Sequence, residues 1–183
     1  MKKILTLSLL LAIGLTSVVC AQKKVVNRTI TGEDGQKMLT GEFDRKILDT
    51  KDFKEWYSAE YDSYEVEKSK LKGLKNLRKY RIEVFVGTWC SDSQRELPRL
   101  YKILDELKFP QNRLKTIGTN RQKKSFYGEE INKNVTHVPT IIVYDNKKNE
   151  VGRIVEGPVS GYLEEDLAQI MNGTPLTPNY AND

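Results

Sequence analysis

The sequence predicts an α/β fold, and three observations carry that prediction. Ile82, Val84 and Val86 alternate with Glu83 and Phe85, which is the period of a strand, and Gly87-Thr88 breaks it. Leu97, Leu100, Tyr101, Leu104 and Leu107 then recur at the spacing of one helix face until the Phe109-Pro110 stretch ends the run. Two β-compatible runs, 140–144 and 151–155, flank the turn-forming residues 145–149 and read as a hairpin.

The remaining elements follow in chain order. Residues 22–48 mix Lys, Gly, Thr and Asp with apolar pairs such as Val25-Val26, a strand or two with loop between. Phe53, Trp56, Tyr57, Tyr61 and Tyr64 have helical spacing, and a second helical pattern continues through Val66, Leu71, Leu74 and Leu77. The basic residues between these leucines, from Lys68 to Arg81, suit the solvated face of a helix. Beyond the first helix of the central region, 114–118 reads as a strand between Asn112 and Asn120, and 126–134 as a helix. Leu163, Leu167, Ile170 and Met171 form the apolar stripe of a last helix, and a Pro- and Asn-containing tail follows it.

Composition narrows the class. The chain has 183 residues, 38% apolar and 30% charged, enough for one domain with a core and against wholesale disorder. Its formal charge is +5, and removing residues 1–21 takes away Lys2 and Lys3 but no acid, leaving +3. A charge that small is not the footprint of a nucleic-acid binder.

Residues 1–21 read as an export signal: Lys2 and Lys3 precede the apolar stretch 4–19, and Val19-Cys20-Ala21 offers small residues for cleavage before Gln22. The stretch is shorter than the roughly 20 residues a spanning helix needs. Membrane association therefore requires either a retained signal or lipid attachment at Cys20, and Val19 is bulkier than the residue that lipoprotein signals usually place before that cysteine. Cleavage leaves Cys90 as the single cysteine of the mature chain. In an oxidising compartment a lone thiol is open to chemistry, and the alternative is a small buried hydrophobe.

The chemistry concentrates in Gly87-Thr88-Trp89-Cys90-Ser91-Asp92-Ser93, directly after a strand, and in Val138-Pro139-Thr140, directly before another. If a helix begins at about Ser91, the free N–H groups of Asp92 and Ser93 point at the Cys90 sulfur and the helix dipole favours its thiolate, the form that attacks a disulfide. Ser93 can support the sulfur with a hydrogen bond but cannot attack it. It can also cap the helix, since Ser93-Gln94-Arg95-Glu96 matches a capping box. The charge of Asp92 suits a helix N-terminus yet opposes ionisation of a neighbouring thiol. His137, the only histidine, either supports the thiolate or faces solvent from its loop.

With both motifs in this order of elements, residues 80–172 resemble a thioredoxin domain, and the whole chain resembles the secreted thioredoxin-like proteins of bacteria, with CxxS in place of CxxC. Trp89-Cys90 stands at the end of the first central strand, and Pro98 falls where the family has a helix-kinking proline. Pro139 precedes the hairpin strand as the family's cis-proline does, and Gly157 lies near the glycine that follows the hairpin. The resemblance implies a three-layer α/β/α sandwich with a mixed central sheet and an N-terminal helical extension. The expected divisions are a signal over 1–21, an extension over 22–79, the domain over 80–172 and a flexible tail over 173–183. It implies export to the bacterial periplasm or cell envelope, Cys90 and Ser93 as catalytic residues, and Trp89, Val138 and Pro139 as the peptide groove. No cofactor or metal is expected. Thiol- or disulfide-containing proteins are the expected substrates, with a separate reductant.

Two departures limit the likeness. Ser93 stands where the second thiol belongs, and the family's buried acid, six residues before the nucleophile, aligns with Val84, Glu83 being on the opposite strand face. Three readings remain open: single-thiol exchange through Cys90, a redox-inactive peptide-binding module, and an interaction surface formed by the aromatic segment 53–64.

Overall fold

The computed structural model describes residues 26–182, so the export signal read over 1–21 lies outside the described residues. The described chain runs β1 (Thr29–Thr31), β2 (Lys37–Leu39), β3 (Gly41–Glu42), α1 (Lys54–Ser63), β4 (Arg81–Val86), α2 (Ser91–Glu106), β5 (Leu114–Gly118), β6 (Thr140–Tyr144), β7 (Glu150–Val155) and α3 (Leu163–Met171). Five strands form one sheet in the order β3-β5-β4-β6-β7, and β1 and β2 form a separate antiparallel pair. β4 and β5 are parallel, so the chain between them must cross over, and α2 is that crossover. The other neighbours are antiparallel, which makes the sheet mixed, as expected of the α/β thioredoxin-like fold.

Alternation along β4 divides the core. Ile82, Val84 and Val86 join the main cluster with Leu97, Leu100 and Leu104 of α2 and Leu163, Leu167 and Ile170 of α3. Phe85 points to the other face, where it packs with Ile117, Val138 and Ile142, and Trp89 and Cys90 lie against this smaller cluster. The sequence around Cys90 is thus held on the face opposite the helices' main packing surface.

That second face is covered by turns, not by the helix expected over 126–134. Gly128, Asn132 and Asn134 have φ of +73°, +64° and +49°, and three left-handed residues so close together interrupt a right-handed hydrogen-bond ladder. The Glu130 carboxylate accepts the Ser125 N–H at 3.0 Å together with the Ser125 hydroxyl, which closes the turn locally. The helix expected through Leu71, Leu74 and Leu77 is likewise replaced by two 3₁₀ turns, Lys70–Leu74 and Leu77–Lys79. A spacing of three matches the 3₁₀ period and still buries Leu74 and Leu77 fully.

The segment before β4 belongs to the same body. β3 supplies the edge strand of the sheet, pairing Gly41 with Gly118 and Glu42 with Ile117. α1 packs on α2, where the rings of Tyr57 and Tyr101 meet edge-on at 6.3 Å and Arg99 bonds Glu60 at 2.6 Å. Phe53 and Tyr57 are buried and Trp56, Tyr61 and Tyr64 are packed on the core, so the aromatic segment 53–64 is used in packing. Among the described residues no helix is long and apolar enough to cross a membrane.

Candidate functional site

The sulfur owes its position to the way β4 ends. The Cys90 N–H donates to the Gly87 carbonyl at 2.8 Å, a turn that brings the chain from strand to helix in three residues. Cys90 has extended backbone (φ −98°, ψ 127°) and occupies the N-cap of α2, its carbonyl accepting the Gln94 N–H at 2.9 Å. The partly exposed thiol donates to the Val138 carbonyl at 3.3 Å. The Val138-Pro139 peptide bond is cis. Cys90, Trp89, Val138 and Pro139, expected from sequence as one site, are therefore brought together.

Ser93, expected beside the sulfur, bonds the backbone of the loop. It is 1% exposed, and its hydroxyl accepts the Gly87 N–H at 3.1 Å. Gly87 lies just past the last residue of β4, where a backbone N–H without a ladder partner is costly to bury. Ser93 satisfies it and so fixes the loop that carries the thiol.

Trp89 folds back over the same loop. Its indole N–H donates to the Thr119 carbonyl at 2.9 Å, and the ring lies so close to Gly87 that a Cβ there would sit 2.5 Å from it. The absence of a side chain at Gly87 is what lets the ring settle. The loop has two further ties: Thr88 Oγ1 accepts the Leu39 N–H at 3.1 Å, and the Gln94 amide donates to the Thr88 carbonyl at 2.8 Å. Leu39 in turn lies against Gly118, where a Cβ would come within 2.3 Å of its carbonyl oxygen.

Charge around the first turns of α2 is arranged in pairs. Asp92 is engaged by Arg95 at 2.8 Å, and Arg95 also holds Glu96 at 2.6 Å. Glu96 is 2% exposed, with Oε2 lacking a hydrogen-bond partner. Burial pushes its carboxyl above the ordinary range, against the opposing pull of Arg95 and Arg99. A cleft of about 350 Å³ opens here, lined by Asp92, Glu96, Gly157 and Asn179 among others. A larger cavity of about 790 Å³, lined by Arg45, Tyr57, Tyr61 and Lys115, contains none of the thiol-site residues.

Val84 is fully buried in the main core, so no acid lies at that position. Glu83 is on the other face, bonded to Lys133 and to the Tyr144 hydroxyl at 3.4 Å. Burial and the facing Glu83 push the Tyr144 phenol up to about 12. His137 bonds Thr136 at 3.1 Å and stacks on Tyr180, ring centroids 3.9 Å apart at 11°. Tyr180 of the stretch expected as a flexible tail over 173–183 thus contacts the domain, and Asn179 adds bonds to the Val155 and Gly157 carbonyls at 3.1 and 3.2 Å.

Sequence reasoning missed Thr88, Arg95, Thr119, Asn179 and Tyr180. The i,i+3 spacing of Asp92 and Arg95 is readable as a helix pair. The partners of Thr88, Thr119 and Tyr180 are distant in the chain and leave no local signal.

A family model described as thioredoxin matches residues 41–162, a span that begins at the edge strand β3 and includes Cys90 and Pro139. No curated protein matches the chain. Similar solved structures include an HIV epitope-scaffold, at 20% identity with a TM-score of 0.47, covering 64% of this chain and 79% of that one. Another is a protein of unknown function from Pseudomonas aeruginosa, at 20% identity with a TM-score of 0.43, covering 64% and 78%.

Proposed function

Since the chain belongs to the thioredoxin family, we propose that it is a single-thiol exchange protein in which Cys90 attacks disulfides and mixed disulfides of polypeptide substrates. The observation that carries this reading is the Cys90 sulfur at the N-terminus of α2, 3.3 Å from the carbonyl that precedes cis-Pro139. In the first step the Cys90 thiolate attacks one sulfur of the substrate disulfide. A bond forms between Cys90 and that sulfur, the substrate S–S bond breaks, and the second sulfur leaves as a thiolate that takes up a proton.

No second thiol follows at position 93, so release requires a thiol from outside: another substrate cysteine, which completes an isomerisation, or a low-molecular-weight or protein thiol acting as reductant. The chain's own residues bind and orient. Ser93, Trp89 and Thr88 fix the loop, and the Val138 backbone lies beside the sulfur to pair with an extended segment. Export to the bacterial envelope, read from residues 1–21, belongs to the same proposal, since an oxidising compartment supplies disulfides.

The test is capture of a disulfide-linked peptide followed by release with an added thiol, both read by intact mass. Wild type is expected to gain one peptide at Cys90 and to lose it on thiol addition, and Cys90→Ser to gain none. A second reading, a peptide-binding module without redox work, is favoured by the hydrogen bond in which the thiol already occupies the Val138 carbonyl. It predicts that Cys90→Ser binds a cysteine-free peptide as wild type does while wild-type Cys90 captures nothing.

A further inference from the structure

Asn179 and Tyr180 bridge the two loops that border Val138 and Pro139. The Asn179 side-chain amide donates to the carbonyls of Val155 and Gly157, on the strand end and loop that follow β7. Val155 is the register partner of Thr140, and the Glu156 N–H donates to the Pro139 carbonyl at 2.7 Å, so these acceptors belong to the cis-proline loop's immediate surroundings. One residue on, the Tyr180 ring stacks on His137, which directly precedes the residue whose carbonyl meets the sulfur. Asn179 also lines the cleft formed with Asp92 and Glu96 on the first turns of α2. Tyr180 takes a left-handed backbone, φ +59°, which bulky residues rarely adopt. It stays 46% exposed, so the ring remains in part open to solvent.

We infer that Asn179 and Tyr180 are a tethered occupant of the surface between the cis-proline loop and the loop after β7, and that polypeptide substrates reach the sulfur by displacing them, favouring segments that carry an aromatic ring directly after a side-chain amide. This rests on the reading of Cys90 as the exchanging thiol. The tail is an intramolecular competitor: the apparent affinity for substrate falls with the fraction of molecules whose groove is open. The same contacts state the preference, because a substrate that replaces them needs a ring for His137 and an amide donor for the Val155 and Gly157 carbonyls.

The experiment compares the full mature chain with its Asn179→Ala/Tyr180→Ala form, measuring mixed-disulfide formation with glutathione disulfide, with a disulfide peptide carrying Asn-Tyr beside its cysteine, and with the same peptide carrying Ala-Ala. The readout is the ratio of each peptide rate to the glutathione disulfide rate. Releasing the tail is expected to raise the Asn-Tyr ratio by about threefold or more, with Asn-Tyr ahead of Ala-Ala, and His137→Ala to erase that preference. Equal ratios in the two forms, or no preference between the peptides, overturn the inference.

A fluorescent, cysteine-free peptide of the sequence Leu-Thr-Pro-Asn-Tyr-Ala-Asn gives a readout independent of sulfur chemistry. The double variant is expected to bind it more tightly than wild type, and absence of binding overturns the inference. A Cys90 inert even to glutathione disulfide, with that peptide still bound, removes the exchange reading while leaving the groove and its occupant in place.

Discussion

Ser93 occupies the position where a second thiol would sit, and its hydroxyl is committed to the Gly87 N–H. The substitution therefore removes the internal disulfide while keeping a polar group that the loop needs. Ser93→Ala leaves a buried N–H unpaired and is expected to cost about 1–3 kcal/mol, read by urea unfolding. An unchanged midpoint would show that the hydroxyl does not hold the loop. Glu96 gives a second residue-scale prediction. Its carboxyl is raised by burial, so between the ordinary carboxylate value and the raised one the folded state binds more protons than the unfolded state. Stability attributable to Glu96 is present at low pH and falls as pH rises through that window. Glu96→Gln removes this dependence. The stability difference between variant and wild type is expected to shift toward the variant as pH rises above the ordinary carboxylate value, measured by urea unfolding at several pH values, and a pH-independent difference would contradict it.

Elements differ in how well the sequence exposes them. α2 and α3 were legible because each buries one face and so writes its period into the chain, and β4 to β7 because they are short β-compatible runs bounded by turn-forming residues. The segment 126–134 was not, since apolar spacing says nothing about the left-handed backbone of Gly128, Asn132 and Asn134. The run through Leu74 and Leu77 has the right buried positions for either helix type, and only hydrogen bonding distinguishes them. Within the site, Cys90 and Pro139 could be set face to face only through the family likeness, and the direction of the Ser93 hydroxyl was invisible. The junction of β3 and β5 is a further element-scale case, made by long-range pairing that no local pattern announces. Beside it, Gly118 admits the backbone of Leu39, the last residue of β2, at a distance no Cβ tolerates. Gly118→Ala is expected to destabilise the protein by about 3 kcal/mol, seen as a lower urea midpoint, and a midpoint within error of wild type would show that the contact yields freely.

Across the whole molecule, the chain before β4 and the chain after α3 both converge on the loop and cis-proline that carry the site. Leu39 ties the N-terminal segment to Thr88, and Asn179 and Tyr180 tie the C-terminal one to Gly157 and His137. The thiol is thus presented by a frame larger than the strand and helix on either side of it, and the account depends on that presentation raising its reactivity. The direct measurement is the second-order rate of Cys90 with glutathione disulfide in the native protein and in the same protein unfolded in urea, followed by intact mass at one pH. A faster reaction is expected in the native protein, abolished by unfolding. A native rate equal to or below the unfolded one would contradict it.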